Sequence, residues 1–352
     1  MNEYTSILEI SKKNLIKNFE FFKKLNDNCH VGVTVKSDAY GLGIKNIIPI
    51  LFNAGCKNYF VASYNEGVEL RKLLKSINIF ILNGSENLDY KKFKKLKLIP
   101  ILNNYNDYKK FQNKKIIYGL HFNTGINRLG INTDNLNKFN FKDKYLKIVI
   151  SHLASADERK NLFNEKQLNR FINLKNKINN HKLIFSLSNS FGSILSNKFT
   201  LNMIRPGIAI YGSHYNILKL KKNISPVIKL KAKILQIKEI NKNEFIGYNQ
   251  TYQTKKKIWV AIIGIGYGDG LKRILSNTGC VYLNNKKFNI LGRVSMDSIV
   301  IDIKKEKSKF IIGKFVDVIN YKYGVDKIAT ECKTISHEIL TSINKRVGRK
   351  IV

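Results

Sequence analysis

The sequence predicts an α/β protein: a (β/α)8 barrel followed by a C-terminal, mostly antiparallel β domain. Three observations point there. Up to about residue 225, short β-branched or aromatic runs alternate with helical patterns. After Pro226 the helical periodicity fades, and short β-rich runs punctuated by Asn and Gly replace it. Polar and charged residues collect after several strands of the first part, where a barrel of this kind carries its chemistry.

The elements follow in order. Ser11 to Leu25 places Leu15, Phe19 and Phe22 at helical spacing behind a possible cap at Ser11. Val31–Val35 is the first strand. It ends on Lys36, and Gly41 and Gly43 then break it and start a helical pattern. Further strands are expected at Tyr59–Ala62, Ile77–Leu82, Leu98–Leu102, Ile116–Phe122, Leu146–Ser151, Leu183–Leu187 and, shortest, Met203–Ile204. Between them lie helical patterns at Glu66–Leu74, Tyr90–Leu96, Asp107–Phe111 and Lys166–Ile178. The barrel is therefore assigned to residues 1–225 and the β domain to 226–352. Strands of the second unit are expected at Ile228–Ile237, Ile258–Ile263, Cys280–Leu283, Phe288–Leu291, Ile299–Ile303 and Phe315–Ile319.

Composition narrows the function classes. With 352 residues and 43% hydrophobic content, a sizeable core is available. No run of eighteen apolar residues occurs, and Met1 to Ile10 carry charges, so neither a membrane span nor a secretory signal is expected and a cytoplasmic location is. Cys29, Cys56, Cys280 and Cys332 are scattered without a CxxC pair, which argues for a reducing compartment and against a metal or disulfide framework. The net charge of +37 invites a nucleic-acid reading. The lysines, however, spread along the whole chain beside many Asn, Ile, Tyr and Phe, as coding bias in an A+T-rich genome would produce. No dedicated nucleic-acid partner is expected.

Chemistry-bearing residues follow the strands. Lys36 and Tyr40 follow the first strand, Asn123 to Gly130 with Arg128 the fifth, and Ser151-His152 closes the sixth. Ser188-Asn189-Ser190 closes the seventh, and Arg205-Pro206-Gly207-Ile208 follows the eighth. A lysine at a buried strand tip is costly unless neutralised or used, and desolvation is one way to make its amine nucleophilic. Each residue also has a plain reading: a snorkelling Lys36, a satisfied core His152, an ion-paired Arg205, a packed Tyr267 in a Gly-rich turn. As a set, an amine-bearing lysine, a phosphate cradle at Ser190, Gly207 and Ile208, and a nearby arginine suggest pyridoxal phosphate. Two other motifs fail. Gly264-Ile265-Gly266-Tyr267-Gly268 has Asp269 where a dinucleotide loop needs glycine, and His337-Glu338 lacks the second histidine of a zinc protease.

The lysine stretch, Asn123–Gly130, Ser151–Asp157, Asn189–Ser190, Arg205–Gly212, Gly266-Tyr267-Gly268-Asp269-Gly270 and Gly292-Arg293-Val294-Ser295-Met296-Asp297 resemble, in order, the signatures of bacterial alanine racemases. The likeness runs from about Leu8 to Arg349. It implies a pyridoxal-phosphate-dependent homodimer that interconverts L- and D-alanine for peptidoglycan, with each active site shared between one subunit's barrel and the other's β domain. Lys36 would carry the cofactor as a Schiff base and act as one base. Tyr267, from the partner subunit, would be the second, linked through His152 to Arg205. By the same resemblance Arg205 faces the pyridine nitrogen, Arg128 reaches the cofactor oxygen and the substrate carboxylate, and the backbone of Met296 meets that carboxylate. Tyr40, Ser190, Gly207, Ile208 and His337 would serve the phosphate end, and Asp297 and Arg273 the entry.

The chain departs from the family pattern twice. His337 stands where a phosphate-binding tyrosine is common. His121 stands where many relatives have a carbamylated lysine, leaving Arg128 to be braced by His121, Asn123, an anion or nothing. Alternatives on the same scaffold are a racemase of another amino acid, a decarboxylase, or a non-catalytic pyridoxal-phosphate-binding regulator. The last type lacks a second domain, whereas this chain has one carrying Tyr267 and Met296.

Overall fold

The computed structural model describes residues 4–215, 217–304 and 306–352, with every side chain among them except that of Asn135. Its first part runs β1 (Ser6–Ile10), α1 (Lys12–Lys23), β2 (His30–Thr34), α2 (Lys36–Tyr40), α3 (Ile44–Asn53), β3 (Asn58–Val61), α4 (Tyr64–Leu73), β4 (Asn78–Ile81), α5 (Tyr90–Leu96), β5 (Ile99–Leu102), α6 (Tyr105–Phe111), β6 (Tyr118–His121), β7 (Leu146–Ile150), α7 (Phe163–Ile178), β8 (Ile184–Ser186), β9 (Met203–Ile204) and α8 (Leu218–Asn223). Strands β2 to β9 form one eight-stranded sheet in the order β8-β7-β6-β5-β4-β3-β2-β9. Each hydrogen-bonded pair in it is parallel. The two end strands meet where the Asn202 amide donates to the Phe185 carbonyl at 3.1 Å and the Arg205 amide to that of Ser188 at 2.8 Å. The sheet thus curls into the expected barrel. Phe60, Phe80, Ile99, Ile101, Ile148, Ile150 and Met203 form a separate buried cluster within it. Parallel strands covered on both faces need such continuous apolar runs.

The second part comprises β10 (Ile228–Ile240), β11 (Phe245–Ile246), β12 (Tyr252–Gln253), β13 (Ile258–Ile263), β14 (Cys280–Leu283), β15 (Lys286–Leu291), β16 (Ile299–Asp302), β17 (Phe315–Ile319), α9 (Val325–Glu331), α10 (Ser336–Thr341) and β18 (Gly348–Ile351). Its main sheet has the order β13-β16-β15-β14-β17-β10-β1-β18, with β10 also pairing β13. The 13-residue β10 faces β17 from Leu230 to Lys233 and β13 from Ile234 to Ile240, with a register shift between Ile234 and Gln236. A bulge of this kind bends a strand, and here it lets six strands close on themselves.

One boundary differs from expectation. The assignment of 1–225 to the barrel includes Ser6–Ile10, but β1 pairs antiparallel with β10 and parallel with β18, in the second sheet. The barrel already has its eight strands without β1. Leu8 and Ile10 are fully buried where β1 now lies. Local pattern gives a strand no information about its partner. Helices α8, α9 and α10 were also absent from the expectation. They span six, seven and six residues, too short to show a period.

Candidate active site

Lys36 emerges directly from β2 into a strained turn. Ser37, Asp38, Ala39 and Tyr40 all have φ between 54° and 56°. Together they form one turn of left-handed helix, which costs L-residues about 1–2 kcal/mol each. Surrounding groups hold it. The Ser37 amide donates to Glu66 Oε1 at 2.6 Å, and the Ile44 amide to Asp38 Oδ1 at 2.7 Å. Glu66 is itself fixed by the capping box that starts α4 with Ser63. The turn leaves Lys36 partly buried. Burial first, and then the Arg128 charge, lower its amine pKa against an opposing pull from Glu66. That is the environment that frees an amine lone pair.

Lys36 opens onto a cavity of about 400 Å³ whose walls include Arg128, His152, Ser190, Arg205 and His337. One end is rich in unspent donors. Ser190 Oγ accepts from the amides of Gly207 (2.9 Å) and Ala209 (3.3 Å). Its own proton has no acceptor among the described residues, and neither does the Ile208 amide. The Tyr40 hydroxyl lies against Gly207, where an added Cβ would come within 2.3 Å of it. Only glycine allows that approach. Burial pushes the Tyr40 phenol up, so it stays a neutral donor. Free O–H and N–H groups converging after the last barrel strands suit a phosphate.

Arg205 lies at the cavity floor, only 5% exposed. Its Nη1 donates to Ser186 Oγ, and its Nη2 donates to the Ser151 carbonyl at 2.6 Å and faces His152 Nδ1 at 3.5 Å. Burial lowers its pKa to about 9, so it remains cationic at neutral pH. His152 is held well below the usual imidazole range by burial and by Arg205. It is neutral, with Nδ1 as acceptor. Arg205 and His152, two members of the expected relay, are thus neighbours at the cavity.

The loop after β6 carries Arg128, which is exposed and makes no hydrogen bond among the described residues. His121 is buried beneath. Its Nδ1 meets Asn103 Oδ1 at 2.8 Å, and its Nε2 has no partner. Asn123 turns instead to its own loop, accepting from the Gly125 and Asn127 amides at 3.0 and 3.1 Å. His337, at the start of α10, sits beside Tyr40 with ring centroids 5.7 Å apart.

Tyr267 and Met296 are not in this cavity. They lie in the second domain, 43% and 53% exposed. Their two loops are locked together: the Tyr267 amide donates to the Ser295 carbonyl at 3.0 Å and the Gly268 amide to that of Met296 at 2.9 Å. Arg346 clasps the pair through Asp269 and Asp297, each at 2.7 Å. Arg273 is exposed nearby in sequence, on a short turn.

Residue-by-residue reading missed Ser186, Asn103 and Glu66. Ser186 alternates with Ser188 and Ser190, a period-two signal that was readable. Asn103 follows a strand directly and fell under the same rule as His152. Glu66 needed knowledge of which helix packs beside Lys36. Among the described residues no three His, Cys, Asp or Glu side chains converge as a metal site, and no helix is long and apolar enough to cross a membrane.

Residues 10–215 match the family model for the alanine racemase N-terminal domain, and residues 227–351 that for the C-terminal domain. The alanine racemase of Rickettsia bellii is 38% identical over 335 residues, covering 92% of this chain and 81% of that protein. That of Rickettsia canadensis is 38% identical over 351 residues, covering 95% and 96%. The fold is similar to Bartonella henselae alanine racemase with covalently bound pyridoxal phosphate (TM-score 0.91, 32% identity, 99% of each chain). It is also similar to Bacillus anthracis alanine racemase with bound L-Ala-P (TM-score 0.88, 25% identity, 100% of this chain and 96% of that one).

Proposed function

The chain belongs to the alanine racemase family, and from that premise we propose how its own residues interconvert L- and D-alanine with pyridoxal phosphate. One observation carries the reading: Lys36, with its lowered amine pKa, shares a cavity with the unspent donors of Ser190 and Ile208. Ser190, the amide of Ile208, Tyr40 and His337 hold the phosphate, with Gly207 giving the backbone room. Lys36 makes the covalent attachment, Arg205 holds the ring nitrogen, and His152 buttresses Arg205. When bound, the cofactor supplies an electron-withdrawing ring that acidifies the α-proton.

Arg128 orients the substrate carboxylate, and its freedom from other partners supports that role. Lys36 moves a proton on one face of the substrate. Racemisation needs a second acid/base on the opposite face. Tyr267 of the partner subunit fills that place, with the Met296 backbone beside the carboxylate. The exposure of both residues, outside their own chain's cavity, supports a homodimer with shared sites. The same reading places the protein in the cytoplasm, supplying D-alanine for peptidoglycan.

Lys36→Ala is expected to lose both the cofactor's protein-bound absorbance and racemisation, and robust turnover by this variant would overturn the mechanism. Tyr267→Phe should slow racemisation about 10²- to 10⁴-fold, the span of a lost acid/base. Mixing these two inactive variants after reversible dissociation tests the shared site. Half the dimers become mixed and half their sites intact, so about a quarter of wild-type activity should return. No recovery would place both bases in one chain. A chiral assay across several amino acids tests strictness for alanine.

A further inference from the structure

Tyr215 was not among the residues expected at the site, yet it lines the cavity beside His337. It sits in the loop that leaves the barrel, with φ at 48°. Its ring packs on Phe191 at 4.9 Å between centroids, and its hydroxyl lies 3.4 Å from His337 Nδ1, a loose hydrogen bond. One carboxylate sets this geometry. Asp326, on α9, accepts from the His214 and Tyr215 amides at 2.9 and 3.2 Å through Oδ2. Its Oδ1 accepts from the hydroxyls of Ser213 and Ser336. Asp326 therefore ties the loop holding Tyr215 to the start of the helix holding His337, and fixes two side chains from different domains against each other.

The chemistry of the pair follows from counting protons. If the phenol donates to Nδ1, His337 keeps an N–H on Nε2. If Nδ1 donates, the phenol proton is left over. Either way one donor remains unspent. Burial raises the Tyr215 phenol to about 12. Burial and the Lys36 charge lower His337 to about 4. Both groups are neutral at neutral pH, so the pair offers a hydrogen bond and not an ion pair.

We infer that Tyr215 and His337 act as one donor unit toward a phosphate group, completing the cradle formed by Ser190, Ile208 and Tyr40. This rests on the racemase reading only for the identity of the molecule that carries the phosphate.

The test uses full-length protein freed of resident cofactor with hydroxylamine, titrated with pyridoxal phosphate, pyridoxal and inorganic phosphate. Tyr215→Phe keeps the ring on Phe191 and removes the hydroxyl. It should weaken pyridoxal phosphate and inorganic phosphate about 10-fold, as expected for one hydrogen bond to a charged group, and leave pyridoxal within about twofold. The double variant with His337→Phe, left with no donor from either ring, should bind phosphate more weakly than either single variant. Unchanged binding of pyridoxal phosphate and phosphate by Tyr215→Phe would overturn the inference. Equal weakening of all three probes would overturn it too, since that marks a merely structural loss. Wild-type protein that binds phosphate through this pair but takes no pyridoxal compound would sustain the inference and overturn the racemase reading.

Discussion

His121 shows how burial and neighbouring charge set the state of a single side chain at the cavity. Asn103 Nδ2 donates to the Leu82 carbonyl at 2.9 Å, which fixes the amide so that Oδ1 faces His121 Nδ1. The proton then belongs on Nδ1, and Nε2 carries a lone pair with no partner. Burial, then Arg205 and Arg128, lower His121 to about 3. His152 and His337 shift the same way. A histidine whose folded pKa lies below the unfolded value of about 6.5 leaves the unfolded chain to bind protons first as pH falls. Its neutral form costs nothing above about pH 7, and stability drains away below about 6.5 until the folded pKa is reached. Each such histidine contributes up to about 1.4 kcal/mol of loss per pH unit. Urea unfolding at pH 6 and pH 5 should show a loss for the wild type about 1 kcal/mol larger than for His121→Phe. Equal losses would mean that His121 is already protonated in the fold. The sequence exposed His121 as a departure from the family and named it among possible braces for Arg128. It could not show that Asn103, eighteen residues away, takes up one nitrogen, because that depends on strand register across the barrel mouth.

At the scale of elements, the turn after β2 is the most informative. Ser37, Asp38, Ala39 and Tyr40 contain no glycine or asparagine, the residues that usually signal a left-handed backbone. The strain was therefore invisible in the sequence, although the lysine, the strand before it and the helix starting after Gly43 were all legible. Strain of this kind persists only where the surroundings over-determine it, and here Glu66 and Asp38 do so. Ser37 is exposed, so substitutions there report backbone cost with little packing loss. Ser37→Gly is expected to stay within about 1 kcal/mol of wild type. Ser37→Val, stiff at its Cβ, should destabilise by about 1–3 kcal/mol in urea denaturation. A neutral Ser37→Val would show that the turn relaxes at no cost. Helix α1 was readable from its period and begins at its Ser11 cap, and β9, the shortest barrel strand expected, pairs with β2 at Met203 and Ile204.

At the scale of the molecule, the two domains are interleaved. The barrel and the β domain were both legible because the change in texture at Pro226 is real, but β1 crosses that boundary. The long-range pairing that draws it across leaves no local mark. Leu8 is fully buried between β10 and β18. Leu8→Ala should cost about 2–5 kcal/mol, and amide exchange should quicken in β10 and β18 while β3 to β6 keep their protection. Uniform acceleration would instead mean that the two domains unfold as one unit. This interleaving also bears on how the protein is made. Residues 6–10 leave the ribosome ahead of the barrel, yet both strands that flank them lie beyond residue 227. Through synthesis of the whole barrel, Ile7, Leu8 and Ile10 wait as an unpaired apolar leader, the kind of segment chaperones bind and stalled chains aggregate through. Translation must run to residues 348–351 before β18 closes over the strand that emerged first.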